Sequence, residues 1–423
     1  MRTAVLALLL LAACTKPTIE QDQVSRVITT LAADDMNGRS AFSPDAMRAA
    51  EFIAAELATI GLETPTGQDG YLQRFAVYSI TADSASVVLN GAPVAAEQVA
   101  VSVGAAGISW TETGGPAPTY VGKDDNLMQI WRGVREGDAL LVVDPAQAES
   151  FERVKGFLAR GSRTTSLEAG SGMVMVLAKG PVTSWSARAV AKVSETPLAN
   201  VVGVIPGNRP DEIVLFSGHY DHIGIVNPVA SDSIANGAND DASGTAAVIE
   251  LARYFKANGK PERTLLFAAF TAEESGGYGS RHFSEQVDPD HIVAMFNIEM
   301  IGKPAVAGPN TAWVTGWDRS DFGSILQSAV EGTEYTFHAD PYPDQNLFYR
   351  SDNATLAGLG VPAHSISTTP IDVDTDYHQV SDEVETLDLA HLTATIRAIA
   401  AGAETIISGK ATPTRVVPES LER

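Results

Sequence analysis

Three short apolar segments with few charges constrain the fold of this chain most strongly. They lie at residues 213–217, 264–270 and 292–298. Each has the length of a β-strand, and strands that are covered on both faces of a sheet read as such apolar runs. Amphipathic helical patterns at 245–257 and 390–407 lie between or after them. The sequence therefore predicts an α/β layer architecture with a central β-sheet and helices on both faces.

The chain is long enough for a second domain, with 423 residues of which 44% are apolar. Residues 24–81 and 197–410 form the expected main domain. Between them, residues 82–196 show short β-like runs, such as 139–143 and 173–177, separated by turns that contain glycine and proline. We expect this segment to form a smaller β-rich inserted domain without a cluster of histidine and acidic residues.

A helix is expected early in the main domain. Residues 24–62 have a helical character, with Ser43-Pro44-Asp45 as a start signal and Gly61 as a stop. Serine before a proline at the first helical position, and glycine just past the end, are typical of helix termini.

The N-terminus reads as an export signal. Arg2 precedes an apolar run at residues 4–13 that is too short to span a bilayer, and Leu11-Ala12-Ala13-Cys14 resembles a bacterial lipoprotein cleavage box. We expect a signal peptide at 1–13, lipidation of Cys14, a tether at 14–23 and a tail at 411–423. The alternative is an ordinary secretory signal. Either signal implies export, and the lipidated form implies a membrane anchor in the bacterial cell envelope, facing the periplasm or the exterior.

Cysteine content and charge exclude several classes of function. Cys14 is the one cysteine, so the mature chain has no disulfide framework, no cysteine nucleophile and no thiolate metal ligand within its fold. Any metal must be bound by histidine, aspartate or glutamate. The net charge of -23 argues against a nucleic-acid partner. The oligomeric state is left open.

Nitrogen and oxygen ligands for a metal follow the predicted strands. Glutamates and a histidine come at or just after the ends of all three strands, where open α/β sheets gather their functional sites. Two ions such as Zn²⁺ need a carboxylate that bridges them, and Asp240 before the next helix is the bridge candidate. The sequence thus predicts a two-metal hydrolytic site. The candidate residues are His219, Asp221, Asp240, Glu273, Glu274, Glu299, Tyr377 and His378.

A series of motifs in the same order resembles metallopeptidase family twenty-eight, which includes secreted bacterial leucine aminopeptidases and glutamate carboxypeptidase II. The motifs are Asn200-Val201-Val202, Gly218-His219-Tyr220-Asp221-His222, the segment 237–244, Thr271-Ala272-Glu273-Glu274, the segment 297–302, Arg350-Ser351-Asp352 and Tyr377-His378. The resemblance covers most of residues 24–80 and 197–410, and implies the zinc exopeptidase fold with a mixed sheet. The insert is similar in position to the protease-associated domain of several members.

The resemblance implies a ligand set for two zinc ions. His219 and Glu274 would bind different ions, Asp240 would bridge both, and Glu299 and His378 would complete the two sets. Glu273 would then be the general base that moves a proton from the water to the leaving amine.

Further roles follow from the same resemblance. Asp221 would accept the second N–H of the His219 imidazole, and Tyr377 resembles a position that stabilises the tetrahedral intermediate in some members. The peptide bond between Asp240 and Asp241 is expected to be cis. His222 stays outside the expected ligand set.

Two residues depart from the family pattern. Glu299 stands where aminopeptidases of this group usually have aspartate, and glutamate there is also associated with carboxypeptidase-type relatives. Asn353 stands where histidine is common, which would alter the substrate pocket. We therefore expect a zinc exopeptidase acting on peptides, foremost an aminopeptidase. The alternatives are a carboxypeptidase or dipeptidase that recognises a carboxylate through Arg350, a binding module that has lost the chemistry, and a glutaminyl cyclase.

Overall fold

The computed structural model describes residues 17–134, 137–168 and 170–418. The expected signal peptide and lipidated Cys14 lie outside the described residues and stay predictions. The chain divides into a main unit, Met1–Arg74 with Leu198–Arg423, and an inserted unit, Phe75–Pro197. The sequence places the first of these boundaries seven residues later, after residue 81.

Helices and strands are numbered along the chain. The α-helices are α1 Gln21–Leu31, α2 Pro44–Ile60, α3 Leu127–Gly133, α4 Ala148–Leu158, α5 Ser243–Ala257, α6 Tyr278–Ser284, α7 Phe322–Ala329, α8 Asn353–Ala357 and α9 Leu389–Ile407. The strands are β1 Leu72–Leu89, β2 Ala92–Pro93, β3 Val99–Ser102, β4 Ile108–Thr111, β5 Pro118–Val121, β6 Ala139–Val143, β7 Ser162–Thr164, β8 Met173–Leu177, β9 Trp185–Ile205, β10 Arg209–His219, β11 Gly224–Val229, β12 Asp232–Ala235, β13 Arg263–Phe270, β14 Ile292–Ile298, β15 Thr311–Val314, β16 Thr336–Ala339 and β17 Ala363–Ser367.

The main unit is built on a mixed sheet. Its strands follow the order β16-β15-β17-β14-β10-β13-β9. The central strands β13, β10, β14 and β17 run parallel. Strand β9 pairs antiparallel with β13, and β15 pairs antiparallel with β17 but parallel with β16. The predicted α/β class with a mixed central sheet is confirmed. The three apolar segments of the sequence lie in β10, β13 and β14 at its centre.

Helices cover both faces of this sheet. Side chains alternate between the faces of a strand, so Phe216 of β10 packs in a core with α1, α2, α5, α7 and α9, whereas Leu215 packs in a second core with α6 and α8. On the larger side, Phe216 stacks against Phe267 and Phe296 from the neighbouring strands, with ring centroids 5.3 and 4.9 Å apart. Burial on both faces explains why these strands carry few charges.

The termini of α2 match the expected signals. The Ser43 side chain accepts a hydrogen bond from the Asp45 backbone N–H, Pro44 occupies the first turn, and Gly61 ends the helix with a φ of 83°. The expected helical stretch over 24–62 is nevertheless interrupted. Residues 34–39 form a short 3-10 segment in which the backbone of Gly38 is left-handed.

The inserted unit has its own sheet and hydrophobic cores. A four-stranded sheet in the order β3-β8-β6-β5 packs with α3 and α4. Strands β6 and β8 coincide with the runs expected at 139–143 and 173–177.

Among the described residues of the whole chain, no helix has the length and apolar character needed to cross a membrane.

Candidate metal centre

Parallel pairing of the central strands gathers the candidate ligands at one edge of the sheet. β10 ends at His219, which pairs in register with Phe270 at the end of β13. Glu273 and Glu274 lie in the turn that follows β13, and Glu299 directly follows β14. The carboxyl ends of these strands therefore place histidine and carboxylate groups side by side.

A first ligand group is formed by His219, Asp240 and Glu299. The His219 Nε2 atom lies 3.2 Å from Asp240 Oδ1 and 3.2 Å from Glu299 Oε1. His219 is buried, and the other oxygen of Glu299 accepts a hydrogen bond from the Ser351 hydroxyl at 2.6 Å. The longer side chain of glutamate at position 299 thus reaches the histidine and is held in place by a serine.

A second ligand group is formed by Asp240, Glu274 and His378. The His378 Nε2 atom lies 3.2 Å from Asp240 Oδ2 and 3.0 Å from Glu274 Oε2. The two oxygens of Asp240 therefore face different histidines. This is the arrangement that a carboxylate bridging two cations requires.

The donor atoms fit zinc. Ligands about 2.0 to 2.1 Å from a tetrahedral zinc ion lie about 3.3 Å from one another, close to the 3.0 to 3.2 Å separations in both groups. No group among the described residues is aligned for a hydrogen bond with the buried Nε2 atom of His378, although two carboxylates lie 3.0 and 3.2 Å from it. Those carboxylates of Asp240 and Glu274 raise the pKa of His378 to about 10, which reflects a local potential that attracts cations.

Two further residues lie near these groups, but their contacts suit support better than ligation. Both oxygens of Asp241 are occupied, because its carboxylate accepts hydrogen bonds from the backbone N–H groups of His219, Gly244 and Met300. His222 lies 2.9 Å from Glu274 through Nδ1 but 3.8 Å from Asp240. The adjoining pocket is lined by Asp240, Glu274, Glu299 and His378, whereas His219, Asp241 and His222 are not among its lining residues.

The expected role of Asp221 needs correction. His219 Nδ1 lies 3.1 Å from the backbone carbonyl of Asp221 and 3.9 Å from its carboxylate. The carbonyl therefore fixes the tautomer of the imidazole. The Asp221 carboxylate instead accepts a hydrogen bond from the Glu273 backbone N–H at 3.1 Å. Complete burial raises the pKa of Asp221 to about 7.

Glu273 lines the same pocket as Asp240, Glu274, Glu299 and His378. Burial, together with the neighbouring carboxylates of Asp352, Glu299 and Glu274, raises the pKa of Glu273 well above its usual range, although His219 opposes this. A carboxylate with a raised pKa holds a proton more readily than an ordinary glutamate, which suits a group that takes up a proton and then delivers it.

Tyr377 lies on the wall of the pocket. Its ring stacks on that of the adjacent His378, with centroids 4.0 Å apart and planes inclined by 24°. Burial and the carboxylates of Asp240, Glu274 and Glu299 raise the pKa of Tyr377. Its hydroxyl therefore stays protonated and is a potential hydrogen-bond donor to a ligand in the pocket.

The loop that carries Asp240 is held by residues that the sequence reasoning did not single out. Asp382 accepts hydrogen bonds from the backbone N–H groups of Asn239 and Asp240 at 2.9 and 3.0 Å. Arg39 is fully buried and donates to the backbone carbonyls of Asn236 and Gly237 at 2.6 and 2.9 Å.

The sequence around Asp382 and Arg39 gives only a weak signal that these residues hold the loop of Asp240. The segment around Arg39 belongs to the part that resembles the family, but a single arginine gives no sign of a buried contact almost 200 residues away. The expected cis peptide bond between Asp240 and Asp241 is present.

Both acidic and apolar residues line the pocket. Its lining includes Asp240, Glu273, Glu274, Glu299 and His378. Apolar wall residues include Met300, Trp313, Leu347 and Ile371. Arg350 also lines the pocket and is exposed.

Comparison with known proteins agrees with this geometry. The family model described as peptidase family M28 matches residues 200–403. A probable zinc metalloprotease from Pyrenophora teres f. teres is 39% identical over 108 residues, which are 25% of this chain and 23% of that protein. A probable glutamate carboxypeptidase from Arthroderma benhamiae is 35% identical over 127 residues, which are 28% of this chain and 16% of that protein. The matched part thus spans less than a quarter of either relative.

Solved structures share the fold at low sequence identity. A zinc aminopeptidase from Bacillus subtilis aligns with a TM-score of 0.57 and 16% identity over 94% of this chain and 98% of its own. An aminopeptidase from an Aneurinibacillus species aligns with a TM-score of 0.54 and 17% identity over 96% of this chain and 97% of its own. The expected zinc exopeptidase fold agrees with these structures.

Proposed function

Because the chain belongs to peptidase family M28 through residues 200–403, we propose that it is an exopeptidase that holds two zinc ions and removes N-terminal residues from peptides. The observation that carries this proposal is Asp240, whose two oxygens each face a different histidine at 3.2 Å. One ion would be held by the first ligand group and one by the second.

The protein residues supply the proton chemistry. Zinc bound at these groups would lower the pKa of a bound water and polarise the scissile carbonyl. The Glu273 carboxylate takes up the proton that the water loses and delivers it to the leaving amine. Asp221 holds the Glu273 backbone through its 3.1 Å hydrogen bond, so the carboxylate is fixed relative to the ligands. The Tyr377 hydroxyl donates a hydrogen bond to the oxygen on which negative charge develops.

The carboxylate oxygens of the pocket support cleavage from the N-terminus. Four carboxylates line it, those of Asp240, Glu273, Glu274 and Glu299. These carboxylates offset the charge of two zinc ions, and a carboxylate oxygen that binds no metal accepts a hydrogen bond from the free α-ammonium group of a peptide. The apolar walls around Trp313 would hold the side chain of the residue that is removed.

Replacing Glu273 by alanine tests the assignment of the base. We expect the Glu273→Ala variant to bind as much zinc as the wild type, because this carboxylate belongs to neither ligand group. Turnover of an aminoacyl substrate should fall by about 10²- to 10⁴-fold, the usual contribution of a general base. Zinc per chain is measured by elemental analysis and turnover by release of the amine.

A matched control is Glu285→Ala, which removes an exposed glutamate at the end of α6 and should leave both quantities unchanged. Near-normal turnover by Glu273→Ala would refute the base assignment. If the wild-type chain is folded but contains no zinc after zinc supplementation, the assignment as a zinc enzyme is refuted and a binding module is favoured.

Arg350 favours a second candidate, a carboxypeptidase or dipeptidase. Its guanidinium is exposed on the pocket wall, and no ion pair of this side chain occurs among the described residues. A guanidinium binds a substrate carboxylate with two parallel hydrogen bonds. N-acetylated and C-amidated forms of one dipeptide separate the candidates, since an aminopeptidase cleaves the amide and a carboxypeptidase the acetylated form.

A further inference from the structure

Acidic residues are distributed unevenly over the two units. Residues 75–197 contain ten lysines and arginines against twelve aspartates and glutamates, whereas the whole chain contains 29 against 52. The excess of negative charge is therefore concentrated in the main unit, and the inserted unit is nearly neutral. Anionic molecules are repelled less by this unit than by the remainder of the chain.

One pocket of the inserted unit gathers basic side chains. It has a volume of about 650 Å³ and is lined by Arg132, Arg160 and Arg163, and Glu168 is the one acidic residue among the described residues of its lining. Three of the ten basic residues of the unit thus surround one cavity. The described lining residues thus carry an excess of two positive charges, which favours an anionic ligand.

Aromatic and apolar side chains complete the same pocket. The rings of Trp131 and Phe157 stack with centroids 5.7 Å apart and planes inclined by 16°. Phe157 is 45% exposed, which leaves apolar surface for a ligand to cover. The Arg160 guanidinium lies 5.2 Å from the centre of the Phe157 ring. Stacking of this kind orients a guanidinium and lowers the entropy lost when it binds an anion.

From this combination we propose that the inserted unit binds the carboxylate end of an amphipathic molecule. The carboxylate pairs with the arginines, whose planar forks match its geometry. The apolar group covers the exposed face of Phe157 and the adjoining Met128. A peptide with an apolar C-terminal residue and a fatty acid share this chemistry. The proposal concerns the inserted unit alone and does not depend on the peptidase chemistry.

Calorimetric titration of the full chain with matched ligands tests the role of charge. N-acetylphenylalanine and its amide differ only in the carboxylate, and we expect the amide to bind at least 10-fold more weakly. Binding of the acid should weaken as salt is added, because the arginines are exposed. Decanoate serves as the fatty-acid probe, and whichever acid binds more tightly identifies the source. Equal binding of acid and amide, or no binding of either acid, overturns the proposal.

Variants locate the site. The triple change Arg132→Gln, Arg160→Gln and Arg163→Gln should weaken binding of the acid at least 10-fold. Arg153→Gln removes an exposed arginine of the same unit that pairs with Glu149 and does not line the pocket, so it should bind as the wild type does. If Arg153→Gln lowers the affinity for the acid as much as the triple change does, the ligand does not bind in this pocket and the proposal is overturned.

Discussion

His364, a buried histidine of β17, illustrates at the scale of single residues how an environment fixes a protonation state. Its Nδ1–H donates to the Thr315 carbonyl at 2.7 Å, its Nε2 accepts from the Ser320 hydroxyl at 2.7 Å, and its ring stacks on Phe322. Both nitrogens are thus used in the neutral form. Burial lowers the pKa of His364 to about 4. In the folded protein, the His364 imidazole is therefore neutral.

This pKa predicts how stability depends on pH. Because the pKa of His364 is about 4 when folded and 6.5 when unfolded, its contribution is complete above pH 6.5 and is lost as the pH falls toward 4. The loss amounts to about 3 kcal/mol. His364→Asn keeps a donor toward Thr315 but does not titrate. Urea unfolding at pH 7 and pH 4.5 should show a destabilised variant whose deficit shrinks at the lower pH.

The matched control is His291→Asn, which removes an exposed histidine. Its unfolding free energy should follow that of the wild type over the same pH range. A His364→Asn deficit that is equally large at pH 7 and pH 4.5 would contradict the assignment of a neutral buried imidazole.

The clustering of the candidate ligands was predictable from sequence because these residues are chemically distinctive and follow strands that are themselves distinctive. Contacts in which two possible partner atoms differ in distance by less than an ångström were not predictable from sequence. Asp221 was expected to bind the His219 imidazole through its carboxylate, yet the carbonyl of the same residue lies closer, at 3.1 Å against 3.9 Å. Which oxygen of one residue faces a ring depends on the turn after β10, and residue spacing does not specify that turn.

At the scale of elements, the half-buried Lys303 joins two loops of the candidate metal centre. Lys303 follows the Glu299 segment, and its ammonium lies 2.5 Å from Asp374 and 2.8 Å from Asp376. The second loop continues to His378, whose φ of 59° is left-handed and unfavourable for a residue with a side chain. A strained backbone persists where its surroundings hold it. The lysine therefore positions the loop that carries one histidine ligand.

Replacing Lys303 should weaken zinc binding without removing a ligand. For Lys303→Met we expect about 10- to 100-fold lower zinc affinity, the usual cost of losing a residue that orients ligands. Competition with a chromogenic chelator measures this affinity independently of activity. Lys303→Arg keeps the charge and should recover part of it, whereas Lys410→Met at an exposed site should change nothing. Wild-type affinity in Lys303→Met would exclude the positioning role.

Elements were predictable where their signals are local. Strand β14 has the bounds expected from its apolar run, and α2 begins and ends at its capping residues. The expected helix over 24–62 was wrong in its middle, because Gly38 approaches the carbonyl of Ala235 so closely that a Cβ there would lie 2.3 Å from that oxygen. A contact between segments almost 200 residues apart leaves no periodic pattern in the sequence.

At the scale of the whole molecule, the two units should respond differently to metal removal. The candidate metal centre lies entirely in the main unit, and the inserted unit has hydrophobic cores of its own. A ligand stabilises the unit that binds it by about 4 kcal/mol when its free concentration is 1,000 times the dissociation constant. For a unit of this size, that is a shift of about 6 °C. We predict that a chelator lowers one of two melting transitions by several degrees.

Differential scanning calorimetry of the full chain, with zinc and with chelator, measures both transitions. Asp240→Asn replaces the carboxylate shared by both ligand groups with an amide. The melting temperature of the main unit should therefore already be low in this variant and should change little when chelator is added. Glu273→Ala leaves both groups intact and should retain the full shift. The transition of the inserted unit should stay constant in every sample, because the chelator removes nothing from it. A shift of both transitions, or of neither, would contradict a metal centre confined to the main unit.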